Sequence, residues 1–140
     1  MTDFDEIIKK YETQIRSALS HFNYSYKKVL NLPIDVEKLD EESLETWESF
    51  SSRFSRVVDL FLTKYIRAKV LKEDPGFHGT LRDFVNYSKK MGLIKNSNLW
   101  MAMREVKNIE AHTYTEDLQS FLKNLLKYAP TVSEISERFQ

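Results

Sequence analysis

Hydrophobic side chains recur along most of this chain at intervals of three and four positions, which is the period of an α-helix. The first such stretch begins at Thr2 or Asp3, either of which can cap a helix, and it ends before Pro33. Its apolar positions are Phe4, Ile7, Ile8, Tyr11, Ile15, Ala18, Leu19, Phe22, Tyr26, Val29 and Leu30. The pattern predicts one long amphipathic helix, followed by an acidic connection.

The second periodic stretch carries a seam of bulky apolar side chains. The seam consists of Trp47, Phe50, Phe54, Val57 and Phe61, and Val58, Leu62, Tyr65, Ile66 and Val70 widen it. We predict a helix from about residue 43 to residue 72, ended by the breaker Asp74-Pro75-Gly76. So much aromatic bulk on one helix indicates a central position in the fold.

Three shorter helices are predicted in the remaining chain. One runs from about residue 80 to residue 90, with Gly92 as its C-terminal stop. The next begins after a cap at Asn96 or Ser97, and the last runs from about residue 115 to residue 128, where Pro130 closes it. Residues 131–140 are expected to add one or two turns. Because glycine and proline are few, with three of each, and the periodic stretches are long, we predict one all-α domain over residues 1–140 with about five helices.

Composition excludes several classes of function. The chain has 21 basic and 21 acidic residues, so bulk attraction to nucleic acid or anionic lipid is not expected, although a local basic patch stays open. The absence of cysteine excludes disulfides, thiolate metal sites and cysteine nucleophiles. No apolar run approaches the ~20 residues that cross a bilayer, and the acidic N-terminus lacks a signal core. A cytoplasmic protein without a membrane segment is therefore expected.

The fourth predicted helix has two different faces. At about 100° per residue, one arc holds Leu99, Ala102, Met103, Val106 and Ile109, which we expect to pack on the other helices. The opposite side holds Trp100, Met101, Arg104, Lys107, Asn108 and His112. Because a solvated face seldom carries a tryptophan and a methionine, we predict that a second subunit covers Trp100 and Met101.

The polar end of this face is the candidate site. Arg104, Asn108 and His112 stand at i, i+4 and i+8 and so form one row, with Lys107 beside them. The structural alternative is that His112 only stabilises a helix C-terminus through the helix dipole. The three histidines show no metal-ligand spacing, so neither a metal nor a cofactor is expected.

The segment KNIEAHTY, residues 107–114, resembles the signature of the HEPN (higher eukaryotes and prokaryotes nucleotide-binding) domain. The chain is most similar to the subgroup of nucleotidyltransferase substrate-binding proteins. Further features of the resemblance are WESFSSRFSRVVDLF, FHGTLRDFVNYSKKMGLI and the tryptophan of LWMAM, so that it spans about residues 5–128. Lys107 occupies the position where the family motif has arginine, and lysine lacks the planar fork that grips a phosphate through two bonds.

The resemblance implies a homodimeric, antiparallel up-and-down helical bundle whose motif histidines line a shared groove that takes a nucleotide or RNA. It also implies a partner, a minimal nucleotidyltransferase encoded nearby. Some relatives are metal-independent ribonuclease toxins that are silenced by AMP transfer to the tyrosine after the histidine, which is Tyr114 here. In a nuclease of this kind His112 would act as acid and base, Arg104 and Lys107 would clamp the phosphate, and Asn108 would orient the substrate.

Three functions therefore stay open from the sequence. The first is a dimeric partner subunit of a nucleotidyltransferase, which the lysine at position 107 favours slightly. The second is a ribonuclease toxin silenced at Tyr114. The third is a helical scaffold with no nucleotide role.

Overall fold

The computed structural model describes the backbone of residues 3–139 and the side chains of that stretch except those of residues 107–116. The described backbone contains helices and connections and no strand. The α-helices are α1 (Phe4–Val29), α2 (Glu41–Asp59), α3 (Arg67–Glu73), α4 (Leu81–Lys90), α5 (Ser97–Glu116) and α6 (Leu118–Glu134). A π-helical segment (Leu60–Ile66) joins α2 to α3, and short 3-10 turns lie at Val36–Lys38 and Ile135–Glu137. The prediction of an all-helical chain is confirmed.

Helix α1 begins where the sequence predicts. The carboxylate of Asp3 accepts hydrogen bonds from the backbone N–H groups of Asp5 and Glu6, at 3.1 and 3.2 Å. These bonds satisfy two of the free donors at the helix start. The helix ends at Val29, four residues before Pro33, and buries Ile8, Ile15, Ala18, Leu19, Phe22, Ser25 and Val29.

Helix α2, the π-helical segment and α3 form one continuous rod from residue 41 to residue 73. This confirms the predicted long helix within two residues at its start and one at its end. The π-helical turn was not predicted, because the seam of apolar residues reads through it without a break. The rod runs antiparallel to α1: Phe22 near the end of α1 lies 5.3 Å from Phe50 (ring centroids), whereas Asp5 at its start pairs with Lys72 at 2.5 Å.

Helix α4 starts with a reciprocal capping box. The hydroxyl of Thr80 accepts from the backbone N–H of Asp83, and the carboxylate of Asp83 accepts from the N–H of Thr80. After α4 the chain turns at Gly92, whose φ of +80° lies in the region that favours glycine. Asn96 then caps α5, since its side-chain oxygen accepts from the N–H of Leu99 at 3.0 Å.

The prediction that Pro130 closes the last helix is wrong. Helix α6 continues to Glu134 with Pro130 in its interior. Proline has no N–H, so the carbonyl four residues earlier loses its helical donor. Burial on both sides of the proline offsets that loss, because Ala129 and Val132 are both fully buried. Phe139, five residues past the end of α6, is also buried.

Candidate functional site

The backbone of α5 is helical without a break from Ser97 to Glu116. Positions 104, 108 and 112 are therefore successive turns on one side of this helix, each about 6 Å further along its axis. The side chains of Lys107, Asn108, His112 and Tyr114 lie outside the described residues. Their roles at the site stay predictions, as does the contribution of Arg104 that depends on them.

Arg104 is the member of the row whose side chain is described. It is half-buried, and its neighbour Glu105 is exposed. The next residue of the predicted packing arc, Val106, is buried, as is Met103 on the other side of Arg104. Arg104 therefore lies at the edge of the core, partly exposed between the buried residues Met103 and Val106 of α5.

The prediction that Trp100 lies on the outer face of α5 is wrong. Trp100 is only 3% exposed within a single chain, and its ring centroid lies 4.7 Å from that of Phe61 in the π-helical segment. The reason is that α5 packs against α2, α4 and α6 together, so more than one arc of it is covered. Trp100 has little surface left for a second subunit, whereas Met101 is half-buried at the margin of the core.

Trp100 belongs to a group of four aromatic rings that we call the aromatic cluster: Phe61, Tyr65, Trp100 and Phe139. Phe139 meets Tyr65 edge-on at 5.0 Å and Phe61 edge-on at 6.2 Å between centroids. The backbone carbonyl of Phe139 also accepts a hydrogen bond from Nε of Arg16 at 2.6 Å. Burial raises the pKa of the Tyr65 phenol above its usual value. The cluster thus ties the start of α5 to the rod and to the segment after α6.

Sequence reasoning missed Phe139. The available signal was the spacing of Val132, Ile135 and Phe139, three and four residues apart, which continues the helical period past Pro130. The helix-breaking signal of Pro130 hides this period in the sequence, which predicts only one or two further turns for residues 131–140. The structure shows that the segment after α6 closes one side of the core through Phe139.

The described part of the chain has several open cavities, two of which bear on the predicted site. One, of about 550 Å³, lies beside the start of α5 and is lined by residues that include Ile94, Leu99, Trp100 and Arg138. The other, of about 540 Å³, lies between the end of α1 and the start of α2. In it, Nη1 of Arg53 donates to the buried hydroxyl of Ser25 at 2.6 Å and to the carbonyl of His21 at 3.0 Å. Both are of a size that holds small ligands.

The second cavity has mixed charge. Its walls include Glu41, Glu42, Glu45 and Glu48 as well as Lys28 and Arg53. Tyr24, which is 60% exposed, lies under the Lys28 ammonium at 4.9 Å and near the Arg53 guanidinium at 5.9 Å. Because carboxylates outnumber cations here, this cavity does not match the cationic site that the sequence predicts on α5. Among the described side chains, no group of three or more histidines and carboxylates converges as metal ligands would.

No family model matches the chain, and the searches of curated proteins and solved structures found no match. Across the described part of the chain, every helix is too short or too polar to cross a bilayer.

Proposed function

We propose that this protein is a homodimeric partner subunit of a minimal nucleotidyltransferase and that it presents a nucleotide-binding face on α5. The helices would form an antiparallel bundle of the HEPN type, and the pair would act in the cytoplasm as a toxin-antitoxin-like system. The observation that carries the proposal is the unbroken helical backbone of α5. It keeps positions 104, 108 and 112 on one side of one helix, which a groove lined by that row requires.

The half-buried position of Arg104 supports the same proposal. A guanidinium at the core margin has its stem packed and its charged end in water. In the proposed groove, such a cation would reach a phosphate bound one turn away at Asn108 or two turns away at His112. In the proposed dimer, Met101 and the row of the second copy would face each other. Trp100 is no part of this interface, because its own chain buries it.

A ribonuclease activity is the second candidate, and it uses the same row. The ribose 2′-OH would attack the adjacent phosphorus while His112 accepts its proton. Arg104 and Lys107 would stabilise the charge that develops on the phosphorane oxygens. The His112 of the second copy would protonate the departing 5′-oxygen, which leaves a 2′,3′-cyclic phosphate and a 5′-hydroxyl. The need for one base and one acid gives the dimer a chemical purpose.

The proposed off-switch is AMP transfer to Tyr114. The phenol oxygen would attack the α-phosphorus of ATP and release pyrophosphate, with the partner nucleotidyltransferase as catalyst. The product carries a phosphodiester and an adenine two residues from His112. This group would neutralise the cations of the row and occupy the space of the substrate.

The test of the partner role is co-expression with the nucleotidyltransferase encoded nearest to this chain. We expect the two proteins to co-purify and, when ATP is added, mass spectrometry to find an attached AMP group on the peptide containing Tyr114. Tyr24→Phe is the matched control for modification at Tyr114, because Tyr24 is the tyrosine that is exposed among the described residues. Adenylate on Tyr24 would contradict the switch at Tyr114, and no complex at all would leave the scaffold function as the better explanation.

The test of the nuclease is cleavage of a single-stranded RNA without metal. We expect His112→Ala to abolish cleavage, a loss of at least about 10²-fold for removal of a general acid-base group. His21→Ala is the control, because His21 is an exposed histidine on α1. Lys107→Arg should increase cleavage, since a guanidinium grips a phosphate through two bonds. Cleavage that survives in His112→Ala would remove this candidate.

A further inference from the structure

The zero net charge of the chain conceals an uneven distribution. In residues 81–96, which comprise α4 and the connection to α5, there are four cations and one carboxylate. The cations are Arg82, Lys89, Lys90 and Lys95, and all four are exposed. We call these four residues the α4 cation surface. Within the described residues, the three lysines take part in no ion pair.

The carboxylate of this stretch is already engaged at the far end of α4. Asp83 accepts hydrogen bonds from the N–H and the hydroxyl of Thr80, at 2.8 and 2.9 Å. These bonds lower its pKa, the backbone bond more than the hydroxyl bond. Lys89 and Lys90 lie six and seven residues further on, about 9–10 Å along the helix axis. Asp83 therefore does not neutralise Lys89 or Lys90, whereas Lys95 lines an open cavity together with Glu134 and Glu137.

Helix stability explains only part of the α4 cation surface. Lys89 and Lys90 lie in the last turn, where the helix dipole favours positive charge. Arg82 lies in the first turn, where the same dipole disfavours a cation, and Lys95 lies outside any helix. Two of the four cations thus have no stabilising role in α4 that would account for their presence.

Arg82 is held in position by the neighbouring helix. Its Nη1 donates to the side-chain oxygen of Asn98, in the first turn of α5, at 3.1 Å. Arg104 lies six residues further along α5, which corresponds to about 9 Å of helix axis. The α4 cation surface is thereby joined through Asn98 to the helix that carries the proposed site.

The exposed side of α4 is a continuous polar row. Arg82, Asn86 and Lys90 stand at i, i+4 and i+8, all exposed, and span about 12 Å. The opposite side of α4 is packed through Phe84, Val85 and Ser88. An extended polyanion that follows this row meets a cation at each end and an amide between them, without a carboxylate on the same line.

We propose that the α4 cation surface binds the phosphates of a single-stranded nucleic acid and guides the strand towards α5. The choice of ligand rests on the proposed function, because the row on α5 is proposed to take RNA or a nucleotide. The shared chemistry is the phosphodiester backbone, which RNA and DNA both offer. Binding of this kind depends on counterion release and hence on salt.

The experiment measures fluorescence anisotropy of a labelled single-stranded RNA, and of DNA with the same sequence, over a range of salt concentrations. The test variant combines Lys89→Gln, Lys90→Gln and Lys95→Gln. The matched control combines Lys9→Gln, Lys10→Gln and Lys123→Gln, which removes three exposed lysines from α1 and α6. Circular dichroism melts verify that both variants fold.

We expect the test variant to lose about tenfold or more in affinity at low salt. The slope of log K against log salt should also become shallower by about 2, because each of the three lost phosphate contacts contributes about 0.7 to the slope. The control should keep the wild-type slope. Equal RNA and DNA affinities support backbone binding, and tighter RNA binding supports a strand read by the α5 row as well. Equal losses of affinity in both variants would overturn the proposal, and so would an unchanged affinity in the test variant. The proposal is also overturned if the protein binds anionic lipid vesicles and neither strand.

This outcome is separable from that of the proposed function. The binding measurement is repeated with His112→Ala, which removes the proposed catalytic group but none of the α4 cations. Salt-dependent binding that persists in His112→Ala, together with a wild type that shows neither cleavage nor a nucleotidyltransferase complex, supports the strand-binding surface and contradicts the proposed function. If the triple-lysine variant keeps cleavage, complex formation and full RNA affinity, the result supports the proposed function and contradicts the strand-binding surface.

Discussion

The indole of Trp100 lies against the ring of Phe61, with centroids 4.7 Å apart and ring planes inclined by 32°. Trp100 is on α5, and Phe61 belongs to the π-helical segment of the rod. Phe139 meets Phe61 from another side. Because of this contact, the first turns of α5 are part of the core. The candidate site lies on the later turns of α5.

Replacement of Trp100 by alanine should destabilise the single chain. We expect Trp100→Ala to lower the free energy of unfolding by about 3–5 kcal/mol, since it removes a large buried ring and leaves a cavity. Urea unfolding measures this loss. Met101→Ala, at a half-buried neighbouring site, is the control and should cost less. A change of oligomeric state at unchanged stability would instead return Trp100 to a dimer interface.

Phe139→Ala should destabilise the protein although it lies beyond the last α-helix. Phe139 is 2% exposed, so loss of its ring should lower the free energy of unfolding by about 3 kcal/mol or more. Glu137→Ala, at an exposed position in the same segment, should stay within about 0.5 kcal/mol of the wild type. Two variants with equal stability would show that the segment does not close the core.

Pro130→Ala should stabilise the protein. Alanine restores an N–H that can donate to the carbonyl of Leu126, and it removes the steric conflict of the ring with that carbonyl. Greater freedom of the unfolded chain offsets part of the gain, so we expect about 1–2 kcal/mol and a melting temperature higher by roughly 4 °C per kcal/mol. Pro130 is exposed, so no packing is lost. A lower melting temperature would mean that the ring of Pro130 stabilises the folded chain more than the missing hydrogen bond destabilises it.

Aspartate caps should make the fold sensitive to acid. The backbone N–H of Ser43 lowers the pKa of Asp40, and that of Ser120 lowers the pKa of Asp117, each below the usual 3.8. A lowered folded-state pKa contributes stability that is complete above the ordinary value and is lost as the pH falls through the lowered one. Stability should therefore decrease below about pH 4.

The variant that combines Asp40→Asn and Asp117→Asn tests this origin. Asparagine keeps an oxygen that caps the helix but does not titrate in this range. Urea midpoints measured from pH 7 to pH 2 should fall less steeply in the variant than in the wild type. Parallel curves would assign the acid sensitivity to other carboxylates.

Local pattern was sufficient for the helices themselves. The caps at Asp3, Thr80 and Asn96 and the approximate limits of the long rod follow from hydrogen bonds and side-chain periods that extend over only a few residues. The row of positions 104, 108 and 112 follows from the same local geometry. The π-helical segment does not follow from local geometry. The apolar seam has the same spacing whether the backbone hydrogen bonds join residues four apart or five apart.

What the amino-acid sequence determined alone is therefore which segments are helical and which positions share a side of each helix. The tertiary structure decided which sides are covered: it buried Trp100, brought Phe139 into the core and carried α6 through Pro130. The physical reason is that helical hydrogen bonds join residues four apart, whereas burial depends on contacts such as Phe61 with Trp100 and Arg16 with Phe139, between residues far apart in the chain.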